Sequence, residues 1–216
     1  MSDVKQGVMS PFAYDEDDDT KQRMLLLGLF VAGKNAGVQE VKLDRFLANL
    51  KEQAPAAGMT HFDRLACVHN SPRKVGLTAS LLAVKSGQYL RLFNALASIV
   101  ELTGDIPGWW LTLDRDELCA SVKGLGMKTA SFYLQFTRRG QRVACLDTHI
   151  LAYMRENGIG TDVPSATPTL RRKYLALEEA FLRHCDSLSR EPAELDFEIW
   201  LKRSVTAKAH GRREKN

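Results

Sequence analysis

The stretch of sequence that most constrains the fold runs from Leu118 to Met154, LCASVKGLGMKTASFYLQFTRRGQRVACLDTHILAYM. Gly124 and Gly126 interrupt its helical pattern, so the stretch predicts a helix, a tight glycine turn and a second helix. Such a turn leaves backbone N–H groups unobstructed at the N-terminus of the second helix, where anions such as phosphate bind. The pattern therefore predicts a helical hairpin that can hold a phosphate group.

Charged residues mark where the helices of this stretch begin. Asp114, with Glu117 three residues later, is typical of a helix start. Lys128 follows Gly126 by two residues and falls in the first turn of the second hairpin helix. Asp147 precedes an apolar run and occupies a good N-cap position, which predicts a third helix after a short extended link.

The segments VKGLGMKTASFYL and CLDTHIL resemble the helix-hairpin-helix plus Gly/Pro–Asp signature of DNA glycosylases. The resemblance is to the bifunctional 8-oxoguanine glycosylase/lyases of the type-2 and archaeal kinds. It places Lys128 at the position of the nucleophile and Asp147 at the position of the catalytic carboxylate. One departure is that the segment before Asp147 reads VACL, without the Gly or Pro of the motif name. A Gly-Leu-Gly turn alone would indicate only a structural turn, whereas its combination with the Lys and the Asp is specific.

Helical periodicity accounts for nearly every segment, so we predict an all-α protein. The resemblance implies two helical subdomains, a helix-hairpin-helix motif and a DNA-binding cleft between the subdomains. We expect residues 1–20 to form an acidic flexible arm. Residues 21–60 are expected to pack with residues 150–216, and residues 61–149 to form a central subdomain with the hairpin at 118–136.

The chemistry implied by the resemblance is base excision followed by strand cleavage. Lys128 would attack C1′ of the damaged nucleotide, release the base and leave a Schiff base, after which β-elimination nicks the strand. The positive end of a helix disfavours an ammonium ion, which helps Lys128 to act as a nucleophile. Asp147 would stabilise the positive charge that develops on the sugar.

The base pocket is predicted from the two ends of the chain and from the hairpin. Phe132 lies four residues after Lys128, on the same helix face. Asp196 and Trp200 share a face of the last helix, and the resemblance assigns such a pair to the pocket, although a helix surface and core pair is the alternative. The resemblance also assigns base reading to an amide at the place of Asn35, which is otherwise an ordinary helix-end residue.

Contacts with the DNA backbone are expected at the hairpin and at one basic loop. Gly124 and Gly126 would hold phosphate, independent of sequence. The loop HNSPRKVG contains Asn70, which would fill the gap left by a flipped base, and Arg73 and Lys74, which would contact phosphates. A solvated surface loop is an equally good interpretation of this segment.

The composition is that of an ordinary globular protein. The chain has 216 residues, 44% of them hydrophobic, and a net charge of +4, which permits nucleic-acid binding without requiring it. No segment approaches a membrane span and no signal pattern appears at the N-terminus. We therefore expect a cytoplasmic monomer, nucleoid-associated in a prokaryote, whose partner is double-stranded DNA with an oxidised base and not a membrane.

The cysteines exclude one property of some relatives. Four closely spaced C-terminal cysteines hold an iron–sulfur cluster in those proteins. The cysteines of this chain are too widely separated for a CxxC pair; they are Cys67, Cys119, Cys145 and Cys185. We expect reduced thiols, no cofactor and no metal.

Two other functions fit part of the sequence. A non-catalytic helix-hairpin-helix module would bind DNA but would have no use for both Lys128 and Asp147. A monofunctional glycosylase for another damaged base would use water as its nucleophile and would not need Lys128.

Overall fold

The computed structural model describes residues 12–71 and 76–213, except for the side chains of residues 204–213. Within this part of the chain the fold is all-helical, as predicted, with eleven helices and no strand. No helix among these residues is long and apolar enough to cross a membrane. The helices are α1 (Asp18–Val31), α2 (Ala36–Gln53), α3 (His61–His69), α4 (Gly76–Ala83), α5 (Tyr89–Asp105), α6 (Trp109–Thr112), α7 (Arg115–Ser121), α8 (Met127–Thr137), α9 (Thr148–Glu156), α10 (Arg171–Ser187) and α11 (Pro192–Arg213).

Side-chain caps determine where several helices begin. Asp114 and Glu117 form a reciprocal capping box at the start of α7, which confirms the helix start expected there. Thr60 and Asp63 form the same arrangement at the start of α3. A cap of this kind satisfies N–H groups that have no acceptor within the helix. Helix starts are therefore encoded locally in this chain.

The buried apolar side chains form two clusters. The first contains residues of α1–α8 and includes Trp109, which is fully buried and stacks on Phe62 with ring centroids 5.4 Å apart. The second contains residues of α9, α10 and α11 together with Ala144 and Leu146. The chain therefore passes from one core to the other just before Asp147.

The first two helices share their core with the central helices. Leu25 and Leu43 belong to the first cluster, whereas the buried residues of α9–α11 belong to the second. Gly28 explains the close approach of α1 to α8, because a Cβ atom at this position would lie 2.7 Å from Cγ2 of Thr129. Among the described residues α1 and α2 also pack against α3, α5 and α8, and the expected packing of residues 21–60 with residues 150–216 stays a prediction. The subdomain boundaries themselves stay a prediction.

The segment expected to be an acidic flexible arm, residues 1–20, is described from residue 12 onward, and its flexibility stays a prediction. Residues 1–11 lie outside the described residues. Ala13 is buried, and its N–H donates to the carbonyl oxygen of Phe136 at 2.8 Å. Asp17 caps α1, and Asp18 and Asp19 lie in the first turn of this helix. Acidic residues are therefore compatible with helical structure in this part of the segment.

Candidate active site

The helical hairpin consists of α7, a glycine turn and α8. Gly124 has a φ of +76°, which side chains disfavour, and a Cβ atom there would lie 3.2 Å from Cγ of Arg91. Gly126 is the N-cap of α8 with an ordinary φ of −101°, and a Cβ atom there would have nothing within 4 Å. The turn geometry therefore requires glycine at Gly124, whereas Gly126 leaves open space beside the N-terminus of α8.

Lys128 is the second residue of α8 and is half-buried. The position in the first helical turn, predicted from the sequence, is confirmed. Its side chain acts electrostatically on the groups of Cys145 and Asp196. The start of α8 thus lies close to the chain segment that leads to Asp147 and to the last helix.

Asp147 is the N-cap of α9, as the sequence predicts. Its Oδ1 accepts hydrogen bonds from the backbone N–H groups of His149 at 2.8 Å and of Ile150 at 2.9 Å. Both donors belong to the first turn of α9, where backbone N–H groups have no acceptor within the helix. The side chain is half-buried and combines a structural cap with a position near Asp196.

The extended segment before Asp147 is held by side chains of α10. The hydroxyl of Tyr174 donates to the carbonyl oxygen of Ala144 at 2.6 Å and accepts from the N–H of Leu146 at 3.3 Å. Glu178 accepts from the N–H of Ala144 at 2.8 Å. These bonds satisfy buried backbone groups that have no helix or sheet partner. They fix the start of α9, and with it the position of Asp147.

A buried ion pair connects this segment to the hairpin. Arg115 of α7 pairs with Glu178 of α10, and both side chains are largely buried. The same guanidinium donates to Oγ of Ser131 in α8 at 3.1 Å. Removal of one partner from such a pair costs about 3–5 kcal/mol, because the other charge remains buried. One polar network therefore joins α8, which carries Lys128, to the segment that leads to Asp147, and no local pattern in the sequence indicates it.

Asp196 lies on α11 and is buried beside the same group. Its Oδ2 accepts from Nε2 of Gln135 at 3.0 Å, and the backbone N–H of Cys145 lies near the carboxyl. Burial, followed by the charge of Asp147, raises the pKa of Asp196 to about 8, against the opposing effects of the hydrogen bonds and of Lys128. The structure thus brings the predicted residues Lys128, Asp147 and Asp196 together.

Cys145 lies at the centre of this group but does not offer a reactive thiolate. The side chain is buried, and burial raises the pKa of the thiol well above its usual range. The negative charges of Asp196 and Asp147 act in the same direction. A thiol that stays protonated is a poor nucleophile. Among the described residues no group of His, Cys, Asp and Glu side chains could hold a metal ion.

The two predicted aromatic residues of the pocket occupy α8 and α11. Phe132 is half-buried, and its ring centroid lies 5.2 Å from that of Phe136. Trp200 is 37% exposed and stacks on Phe197 with centroids 6.3 Å apart. Their assignment to a base pocket stays a prediction.

Other predicted residues have different surroundings. Asn35 is exposed and is the N-cap of α2, where its Oδ1 accepts from the N–H of Val38 at 3.1 Å. Asn70 is the exposed C-cap of α3. Arg73 and Lys74 lie outside the described residues. The roles assigned to these four residues therefore stay predictions.

An open depression of about 760 Å³ adjoins the hairpin turn. Arg91 lies between this depression and α1, where its Nη2 donates to the carbonyl oxygen of Leu29 at 2.5 Å and its Nε to Oε1 of Gln88 at 2.6 Å. Burial lowers the pKa of Arg91 from its usual value. The residues that line the depression are Gln88, Tyr89, Leu90, Arg91, Asn94, Lys123 and Gly124.

Comparison of the structure with solved structures identifies the class of fold. A crystal structure of the Methanocaldococcus jannaschii 8-oxoguanine glycosylase/lyase, in complex with a 15mer DNA containing 8-oxoguanine, superposes with a TM-score of 0.62 at 21% identity. The superposition covers 88% of this chain and 84% of that chain. The 8-oxoguanine DNA glycosylase of Thermotoga maritima gives a TM-score of 0.58 at 20% identity, over 84% and 78% of the two chains. The chain therefore has the fold of the 8-oxoguanine DNA glycosylases.

A family model matches the central part of the chain. Residues 109–190, which include Lys128 and Asp147, match the family model Ogg-HhH, described as 8-oxoguanine DNA glycosylase. This match confirms the resemblance that the hairpin and Asp147 carry.

Curated relatives carry the name 8-oxoguanine DNA glycosylase/AP lyase. The Fusobacterium nucleatum protein is 24% identical over 76% of this chain and 69% of its own length. The Methanocaldococcus jannaschii protein is 33% identical over 42% of each chain. The Thermotoga maritima protein is 29% identical, and the chain spans only 40% of the length of that relative.

Proposed function

We propose that this protein is a bifunctional DNA glycosylase and AP lyase of base excision repair, which excises 8-oxoguanine. The observation that carries the proposal is the grouping of Lys128, Asp147 and Asp196 at the N-termini of α8 and α9 and on α11. The names of the relatives and the family match over both catalytic candidates support the same activity. A non-catalytic module would not need a lysine, a capped carboxylate and a buried carboxyl in one place.

The proposed reaction begins with attack of the neutral amine of Lys128 on C1′. The bond between C1′ and N9 breaks, and the base leaves with its electron pair and takes up a proton. Asp147 stabilises the positive charge on the sugar while this bond breaks. Opening of the sugar ring gives a Schiff base between Lys128 and C1′. Loss of a proton from C2′ then expels the 3′ phosphate, and hydrolysis frees the lysine.

We propose that the excised base is held by Phe132, Trp200, Asp196 and Asn35. 8-Oxoguanine differs from guanine by a proton on N7 and a carbonyl at C8, so its edge offers a donor beside an acceptor. A carboxyl with a pKa of about 8 is mainly neutral at pH 7 and can both donate and accept. If guanine occupied the pocket, a polar group that pairs with 8-oxoguanine would be left without a partner. This costs about 1–3 kcal/mol, which is enough to favour 8-oxoguanine over guanine.

We propose that double-stranded DNA lies along the hairpin and the depression beside it. The open space at Gly126 admits a phosphate to the N–H groups of α8, and Gly124 provides the turn. Lys123 and Arg91 add positive charge at this surface. Asn70 would fill the gap of the flipped base, and Arg73 and Lys74 would contact phosphates. We expect the protein to act on the chromosome as a monomer.

The function is tested with duplexes that each contain one lesion, namely 8-oxoguanine, thymine glycol, uracil or hypoxanthine. Under single-turnover conditions the wild-type protein should release 8-oxoguanine fastest and should form a covalent adduct when borohydride is present. Lys128→Gln should bind the same duplex without trapping or nicking. Lys123→Gln is the matched control, because this lysine lies in the glycine turn just before α8 and should affect only affinity.

The possible results separate the alternatives. Trapping by Lys128→Gln at the wild-type level would remove Lys128 from its role. Base release without any trapped adduct would indicate a monofunctional glycosylase. Binding without base release on any lesion would indicate a DNA-binding module. Faster release of another base would contradict the substrate assignment.

A further inference from the structure

The segment formed by residues 12–15, here called the N-terminal strap, lies across the last turn of α8. The N–H of Ala13 donates to the carbonyl oxygen of Phe136 at 2.8 Å. The hydroxyl of Tyr14 donates to the carbonyl oxygen of Gln135 at 3.1 Å. Carbonyl groups in the last turn of a helix have no donor within the helix. The strap therefore satisfies two groups that α8 cannot satisfy itself.

Charged side chains attach the strap independently of these bonds. Arg139 forms an ion pair with Asp15, and its guanidinium lies 4.9 Å from the ring centroid of Tyr14. The ring of Phe12 stacks on that of Tyr14 with centroids 5.3 Å apart, but the hydrogen bond of Ala13 and the ion pair of Asp15 involve neither ring. Removal of the Phe12 ring should therefore leave the backbone of the strap attached to α8 at Ala13 and Asp15.

The ring of Phe12 contacts aromatic residues of both α8 and α11. Its centroid lies 5.5 Å from that of Phe136 and 6.0 Å from that of Phe197. Phe136 in turn contacts Phe132, and Phe197 stacks under Trp200. A continuous series of ring contacts therefore joins the two aromatic residues proposed to enclose the base.

The position of Phe12 matters because α8 and α11 contribute to different cores. Leu134 of α8 belongs to the first buried cluster, and Ile199 of α11 belongs to the second. The distance between Phe132 and Trp200 depends on the contacts that join these helices. The hydrogen bond between Gln135 and Asp196 is one such contact, and the ring of Phe12 is another.

We propose that Phe12 of the N-terminal strap is a positioning residue, which holds Phe132 and Trp200 at the separation required for a base. The inference rests on the proposed function of the same site. Strand cleavage at an abasic site uses Lys128 and Asp147 but has no base to enclose. Phe12 therefore acts on base excision and does not act on the lyase step.

The experiment compares two substrates of the full-length protein, a duplex with 8-oxoguanine and the same duplex with a preformed abasic site. Phe12→Ala should reduce excision of 8-oxoguanine by about 10- to 100-fold, which is the effect of a small misplacement of a positioning group. Nicking of the abasic duplex should remain at the wild-type level. Phe12→Tyr retains the ring and should restore excision.

Trp200 provides a readout that does not depend on activity. The chain has three tryptophans, of which Trp109 is fully buried, Trp110 is 8% exposed and Trp200 is 37% exposed. Acrylamide quenching of fluorescence therefore reports mainly on Trp200. Phe12→Ala should increase this quenching, whereas Phe12→Tyr should not.

Two controls separate positioning from loss of stability. Asp15→Asn breaks the exposed ion pair with Arg139 and should change neither activity nor quenching. Phe46→Leu weakens the first core at α2, where Phe46 packs on Phe30, and should lower both activities in parallel. If Phe12→Ala does not fold, Phe12→Leu takes its place in the same assays.

The results distinguish this inference from the proposed function. Equal loss of excision and lyase activity in Phe12→Ala, or no loss of either, would overturn the role of Phe12. If the wild-type protein acts on neither duplex, the proposed function fails. In that case unchanged quenching in Phe12→Ala would also overturn the positioning role.

Discussion

Asp196→Asn should stabilise this protein, and the gain should depend on pH. The carboxyl of Asp196 is buried, and its pKa is raised from 3.8 to about 8, mainly by burial and next by the charge of Asp147. Asparagine has the same shape but never carries a charge. Its oxygen can accept from the N–H of Cys145, and its NH₂ group can donate to Gln135, whose Oε1 is buried without a hydrogen-bond partner among the described residues.

The sign of the effect follows from the two protonation equilibria. The unfolded chain releases the proton of Asp196 near pH 4, whereas the folded protein retains it until about pH 8. The stability provided by the neutral carboxyl is therefore fully present below pH 4 and is lost progressively up to pH 8. Each pKa unit corresponds to about 1.4 kcal/mol, so a shift of about four units gives up to about 6 kcal/mol. Asp196→Asn does not undergo this loss.

The measurement is the free energy of unfolding in urea for both proteins from pH 4 to pH 9. The two curves should meet near pH 4 and separate as the pH rises, with Asp196→Asn the more stable protein. Asp186→Asn is the control, because the pKa of this exposed carboxyl is lowered by its hydrogen bond with Arg142. That variant should lose stability above pH 4, the opposite direction. Parallel curves for Asp196→Asn and the wild-type protein would refute the reasoning.

Two further predictions concern the hairpin and the carboxylate at α9. Asp147→Asn should fold, because asparagine is an equally good N-cap, and should lose base release by roughly 10²-fold or more in single-turnover assays with affinity nearly unchanged; a normal rate would contradict the role of Asp147. Gly126→Ala should keep its melting temperature but bind damaged and undamaged duplex more weakly, since its Cβ atom occupies the space open to phosphate. Gly124→Ala should instead cost about 1–2 kcal/mol of stability, because the φ of Gly124 is +76°. If Gly126→Ala lost binding to damaged DNA alone, the turn would belong to the lesion pocket.

The helix starts could be predicted because their signals are local. The caps at Asp114 and Asp147 were evident within a few residues of sequence. The short helices α4 and α6 were not predicted, since four to eight residues give too little periodicity for assignment.

The turn and the strap could not be predicted in detail. Sequence identifies two glycines but does not indicate that Gly124, and not Gly126, has the positive φ. The acidic run after Phe12 favours a mobile segment, yet the aromatic partners of Phe12 lie more than a hundred residues away on α8 and α11. Contacts of that separation leave no pattern in a single sequence.

The two carboxyl groups of the candidate site, those of Asp147 and Asp196, have different surroundings. Asp147 accepts hydrogen bonds from two backbone N–H groups at a helix N-terminus. Asp196 is buried nearby with a pKa of about 8, so at neutral pH it adds little negative charge to that of Asp147. Two ionised carboxyls this close together would repel each other. Environments that separate two carboxyl groups in this way are typical of catalytic sites. The side chains of α10 hold Asp147, and burial on α11 keeps Asp196 neutral, so the C-terminal helices determine the charge that Lys128 experiences.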